Sequence, residues 1–134
     1  MSMTFYSTNP EDVNGPNFSN VNTGAMFSML IKHLDDWFDM LSKENYEVKQ
    51  TLLESIATAQ HMIPEEGVVA KTGVEKVRKL TSLCIRSFLY NLAVSPELSF
   101  TSKLEQEELD MFVRVASLND WLSEVSHDSL IYAT

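Results

Sequence analysis

The sequence predicts an all-α protein, an antiparallel four-helix bundle with an extended N-terminal arm, the arm spanning residues 1–23 and the bundle 24–134. Three observations predict it. Apolar residues recur at helical spacing in four separate segments. Gly and Pro number four each, and residues 25–63 contain neither, which favours long helices over a many-turned β fold. Two capping boxes, Thr72-Gly73-Val74-Glu75 and Ser102-Lys103-Leu104-Glu105, each stand ahead of an apolar run.

The arm holds five Asn, two Pro and one Gly and shows no sustained period. Such a segment is loosely ordered unless something holds it down, and Phe5, Tyr6, Val13, Phe18 and Val21 would let it dock on its own domain. Thr23 is placed to cap a first helix over residues 24–41, in which Phe27, Leu30, Ile31, Leu34, Trp37 and Phe38 repeat at helical spacing. Residues 42–45 make the turn into a second helix from Tyr46 to Ile63, which Pro64-Glu65-Glu66-Gly67 ends. The third helix opens at the Thr72 capping box and carries Val74, Val77, Leu80, Leu83, Cys84, Phe88 and Leu89 until Ser95-Pro96 breaks the pattern. The fourth starts at the Ser102 box and runs through Leu109, Phe112 and Val113 to about Val125; the tail after it has no clear assignment.

At 134 residues the chain is one domain, long enough to bury roughly two thirds of its unfolded surface. Cys84 is its single cysteine, and no signal peptide or membrane-length apolar run is seen, so the expected setting is a reducing cytoplasm. The net charge of −9 argues against a general nucleic-acid binder, since phosphate attraction supplies most of that affinity. Against that background the segment 71–92 is strongly positive, with Lys71, Lys76, Arg78, Lys79 and Arg86 opposed only by Glu75. On a helix, Lys71, Glu75, Arg78, Lys79, Ser82 and Arg86 form one stripe. The segments 32–66 and 102–134 are each net −5, so the stripe is expected to act as a solvated face that complements its acidic neighbours. Individual surface pairs contribute only about 0–1 kcal/mol.

Catalytic and metal chemistry find little to work with. A di-iron bundle needs two Glu-x-x-His pairs, and only Glu124-Val125-Ser126-His127 fits. His33 is expected on a helix surface and His61 in a C-terminal turn, where its charge suits the helix dipole. Cys84 lies among apolar residues and is expected to be a structural thiol. Neither an enzyme, a metal site nor a cofactor is expected. What remains is apolar surface: the first and third helices are apolar round more of their circumference than one seam needs, and seven Met add adaptable surface. That excess suits a groove for an amphipathic helix, or a self-association face.

Three stretches carry a family resemblance: VNTGAMFSML (21–30), SIATAQHMI (55–63) and SLNDW (117–121). From about Val21 to Val125 the chain resembles the flagellar export chaperone FliS family, the cytoplasmic partners of flagellin. It departs at Ile31-Lys32, where the family usually has Tyr-Asp, and at SLCIRSFLYNL (82–92), where the family usually carries a Tyr and paired Arg. The resemblance implies a small helical bundle without catalysis that holds the C-terminal segment of flagellin in hydrophobic grooves and prevents premature assembly. The reading is thus a cytoplasmic export chaperone for a helical, partially folded client. Ile56, Met62, Val77, Leu80, Phe88 and Tyr90 on the second and third helices are expected to line the groove. The alternative is an acidic inhibitor or DNA mimic that blocks a basic nucleic-acid-binding partner through Asp35, Asp36, Asp39, Glu105, Glu107, Glu108 and Asp110.

Overall fold

The computed structural model describes residues 1–40, 46–63, 69–94 and 103–134. Among them the order is β1 (Ser2–Ser7), β2 (Asn17–Ser19), α1 (Asn20–Met40), α2 (Tyr46–Met62), β3 (Val69–Gly73), α3 (Val74–Val94), α4 (Lys103–Glu124) and β4 (Leu130–Ala133). The strands form one antiparallel sheet in the order β2-β1-β4-β3. The architecture is therefore a mixed helix-and-sheet fold, not the all-α bundle that the periodicity predicts. The turn at 42–45, the stop at 64–67, the Ser95-Pro96 break and the Ser102 capping box lie outside the described residues.

Much of the predicted arm is sheet. Met3 and Phe5 alternate with more exposed neighbours along β1, the period-2 pattern of a half-buried strand. In register, Phe5 faces Ala133 of β4, which faces Val69 of β3, and all three are fully buried. The opposite face of the sheet pairs Tyr6 with Tyr132, their rings 5.6 Å apart. Between β1 and β2, Asp12 accepts hydrogen bonds from the Ser7 hydroxyl and from the backbone and hydroxyl of Ser126. The Ser7 hydroxyl is the first cause that holds the Asp12 carboxyl below the usual carboxylate range, with Ser126 adding to it. Trp121 donates its indole N–H to the Val13 carbonyl at 2.7 Å. A Cβ at Gly15 would come within 2.7 Å of that indole, so only glycine lets the loop lie this close. The loop is pinned by these bonds; Val13 and Val21, expected to help it dock, are exposed.

The helices begin where local chemistry ends the strands. Ser19 caps α1 by accepting from the Asn22 N–H at 3.0 Å, and the buried Thr23 donates to the Ser19 carbonyl, so the cap is Ser19 in place of the predicted Thr23. Thr72 belongs to β3 and donates to the Ala70 carbonyl, while Glu75 turns to His127 and Arg78. The Thr72–Glu75 capping box is thus replaced by a strand that runs straight into α3.

Helices α1 and α3 each pack against the other three, so they form the central pair with α2 and α4 on either side. One core joins Met26, Phe27, Leu30 and Leu34 to Leu52, Val77, Leu80, Leu118 and the sheet residues Met3, Phe5 and Ile131. Met3, Met26 and Met62 are fully buried, so methionines foreseen as adaptable surface instead fill this core. Among the described residues no helix is long and apolar enough to cross a membrane.

Candidate binding groove

The polar stripe on α3 does not face open solvent alone. With α2, β3 and β4 it walls a groove of about 1200 Å³. The α2 wall presents Thr51, Ser55 and Thr58, with Glu54, Ala57 and His61 beside them. Ser55 and Thr58 donate to the carbonyls of Thr51 and Glu54 one turn earlier, so their protons are already engaged. The opposite wall presents Lys76, Arg78, Lys79 and Arg86, and Lys71 enters from β3. Leu83 of α3 and Leu130 of β4 add apolar surface, and Ala57 leaves room because its side chain is short.

The electrostatics of this wall are lopsided. Arg78 pairs with Glu75 at 3.5 Å on its own helix, and Glu75 also accepts from His127 at 2.8 Å. That hydrogen bond is the main cause holding the Glu75 carboxyl below its usual range. The Lys71 ammonium stands 5.4 Å above the Tyr132 ring. Among the described residues, Lys76, Lys79 and Arg86 form no ion pair, and no cation of the stripe pairs with an acid of α1, α2 or α4.

The six residues expected to line a groove sit elsewhere. Met62, Val77 and Leu80 are fully buried, Ile56 and Phe88 are buried, and only Tyr90, half exposed near the end of α3, reaches solvent. Phe88 stacks on Phe112 of α4 at 4.4 Å and meets the His33 ring edge-on at 6.0 Å. None of the six lines the groove; their sequence neighbours do, Ser55 and Ala57 beside Ile56, Lys76 and Arg78 beside Val77, Lys79 beside Leu80. A single-residue step turns a helical side chain by about 100°, which separates the buried rows of α2 and α3 from the rows that line this groove. The missed wall had a signal, since Thr51, Ser55 and Thr58 repeat at helical spacing.

The acidic runs lie on α1 and α4. Asp35, Asp36 and Asp39 of α1 and Glu107 and Asp110 of α4 are exposed, and Glu108 is half-buried; the Glu105 side chain lies outside the described residues. His33 is buried, contrary to its expected surface position, and among the described residues neither ring nitrogen has a hydrogen-bond partner. Burial pushes its pKa down, with Lys32 adding to the shift while Glu108 and Asp36 oppose it. Cys84 is buried, its thiol pushed up to about 12 by desolvation, which suits packing and not nucleophilic attack. Among the described residues no three His, Cys, Asp or Glu come together as a metal cluster would need.

Comparison of the chain with protein-family models, with characterised proteins and with solved structures finds no match.

Proposed function

We propose that this chain is a non-catalytic binding protein of the export-chaperone kind, acting in the cytoplasm and holding a helical, partially folded client segment in the groove between α2 and α3. The observation that carries the reading is the groove itself, open along two helices and closed at one side by β3 and β4. From Thr51 to His61 the α2 wall runs about 15 Å at helical rise, room for about three turns of a client helix. The sequence resemblance implies flagellin as the client, which the same experiment addresses.

Calorimetric titration with flagellin tests this. Ala57→Arg fills the groove from an exposed position on α2, whereas Leu53→Arg changes an exposed residue of the same helix that does not line it. Ala57→Arg is expected to weaken binding about tenfold or more, equivalent to ~1.4 kcal/mol, with Leu53→Arg close to wild type. Binding that is absent, or equal in the two variants, overturns the reading.

The acidic runs favour a second reading, an inhibitor or DNA mimic for a basic protein. The acidic runs of α1 and α4 stand on helices that pack against each other. A partner held there is released by moderate salt and is indifferent to Ala57→Arg.

A further inference from the structure

We infer that the segment this groove accepts is an amphipathic helix whose acidic edge lies along α3, an inference that rests on the groove reading above. Three cations of the α3 wall, Lys76, Lys79 and Arg86, form no ion pair among the described residues, so their charge is available to an incoming group. Lys79 and Arg86 stand two turns apart, about 10.5 Å, which matches carboxylates two turns apart on a helix lying alongside.

The facing wall sets the polarity of the occupant. The Ser55 and Thr58 hydroxyls already donate to their own helix, and Glu54 projects there, so that side is the less favourable one for a row of carboxylates. Ala57 and Leu83 supply apolar contact between the two walls. An acidic edge toward α3 and a small apolar edge toward Ala57 and Leu83 therefore satisfy every wall at once. Nucleic acid fits less well: among the described residues no Phe, Tyr or Trp lines the groove for base stacking, Glu54 and Glu75 interrupt the phosphate track, and the chain carries a net charge of −9.

Fluorescence anisotropy tests the inference with a labelled helical peptide of about fourteen residues that carries Glu along one edge and Leu and Ala along the other. A Glu→Gln twin, a Glu→Lys twin and a single-stranded oligonucleotide complete the probes. The proteins are the full chain, the Lys79→Glu/Arg86→Glu variant and Ala57→Arg, all three changes at exposed positions, with helicity checked by circular dichroism. The Glu peptide is expected to bind the wild-type chain about tenfold more tightly than the Gln twin. The charge-reversed variant should lose that preference, and the Lys twin should regain affinity on it. Equal affinities for the Glu and Gln peptides, both abolished by Ala57→Arg, overturn the acidic edge and leave the groove reading standing. No binding of any peptide, or binding that ignores Ala57→Arg, overturns both. An oligonucleotide that displaces the Glu peptide and loses affinity on charge reversal overturns the inference in favour of a nucleic-acid site.

Discussion

His33 is a buried imidazole with no hydrogen-bond partner at either nitrogen among the described residues, the arrangement that makes a protonated ring costly. Its pKa lies below the ordinary 6.5 because burial removes the water that would solvate the cation. The unfolded chain therefore takes up this proton at a pH where the folded chain does not. The stability that follows is fully present above about pH 6.5 and is lost as the pH falls from there toward the depressed folded value. Urea denaturation across this window should show the midpoint falling, and His33→Leu should gain on wild type as the pH drops. A constant difference between the two at all pH values would show that His33 does not titrate with folding. Sequence placed Cys84 correctly among apolar neighbours and misplaced His33. The first follows from the residues around it on one helix, whereas the second depends on Phe88 and Phe112 arriving from α3 and α4.

At the scale of one element, α3 separates what charge does for the fold from what it does at a surface. The stripe and its composition were legible in the sequence, and so was the span of the helix within a few residues. Its expected role, complementing acidic neighbours, finds no ion pair to α1, α2 or α4 among the described residues. Lys79→Ala and Arg86→Ala should accordingly change stability by less than about 0.5 kcal/mol each. A double variant that loses well over 1 kcal/mol in urea would show instead that these cations serve the fold. The second helix tells the same story from the other side. Of the apolar residues read on it, Leu52, Ile56 and Ala59 face the core while Leu53, Ala57 and Ile63 are exposed, and the groove is lined by a neighbouring row that includes Thr51 and Thr58.

For the whole molecule, the sheet is where the two ends of the sequence meet. Thr4 and Thr134 exchange backbone hydrogen bonds at 3.1 and 3.2 Å, and β4 stands between β1 and β3. Ile131 is fully buried in the same core as the helices, so the sheet is part of one cooperative unit and not an appended flap. Ile131→Ala should cost about 2–4 kcal/mol, in the range of Leu118→Ala in α4, with tryptophan fluorescence and helical circular dichroism lost at one shared denaturant midpoint. A cost under about 0.5 kcal/mol, or a sheet transition preceding the helical one, would mark the sheet as peripheral.

The sequence by itself determined the four helices and the segregation of charge onto one stripe, because helical period is written within a few residues. The tertiary structure alone decided the sheet and the groove. Strands of three to six residues carry too short a period to be read in isolation. Their stability comes from partners such as Phe5 and Ala133, which lie at opposite ends of the chain. The groove likewise exists only once α2, α3, β3 and β4 are assembled, since which row of a helix becomes core and which becomes wall is settled by what packs against it.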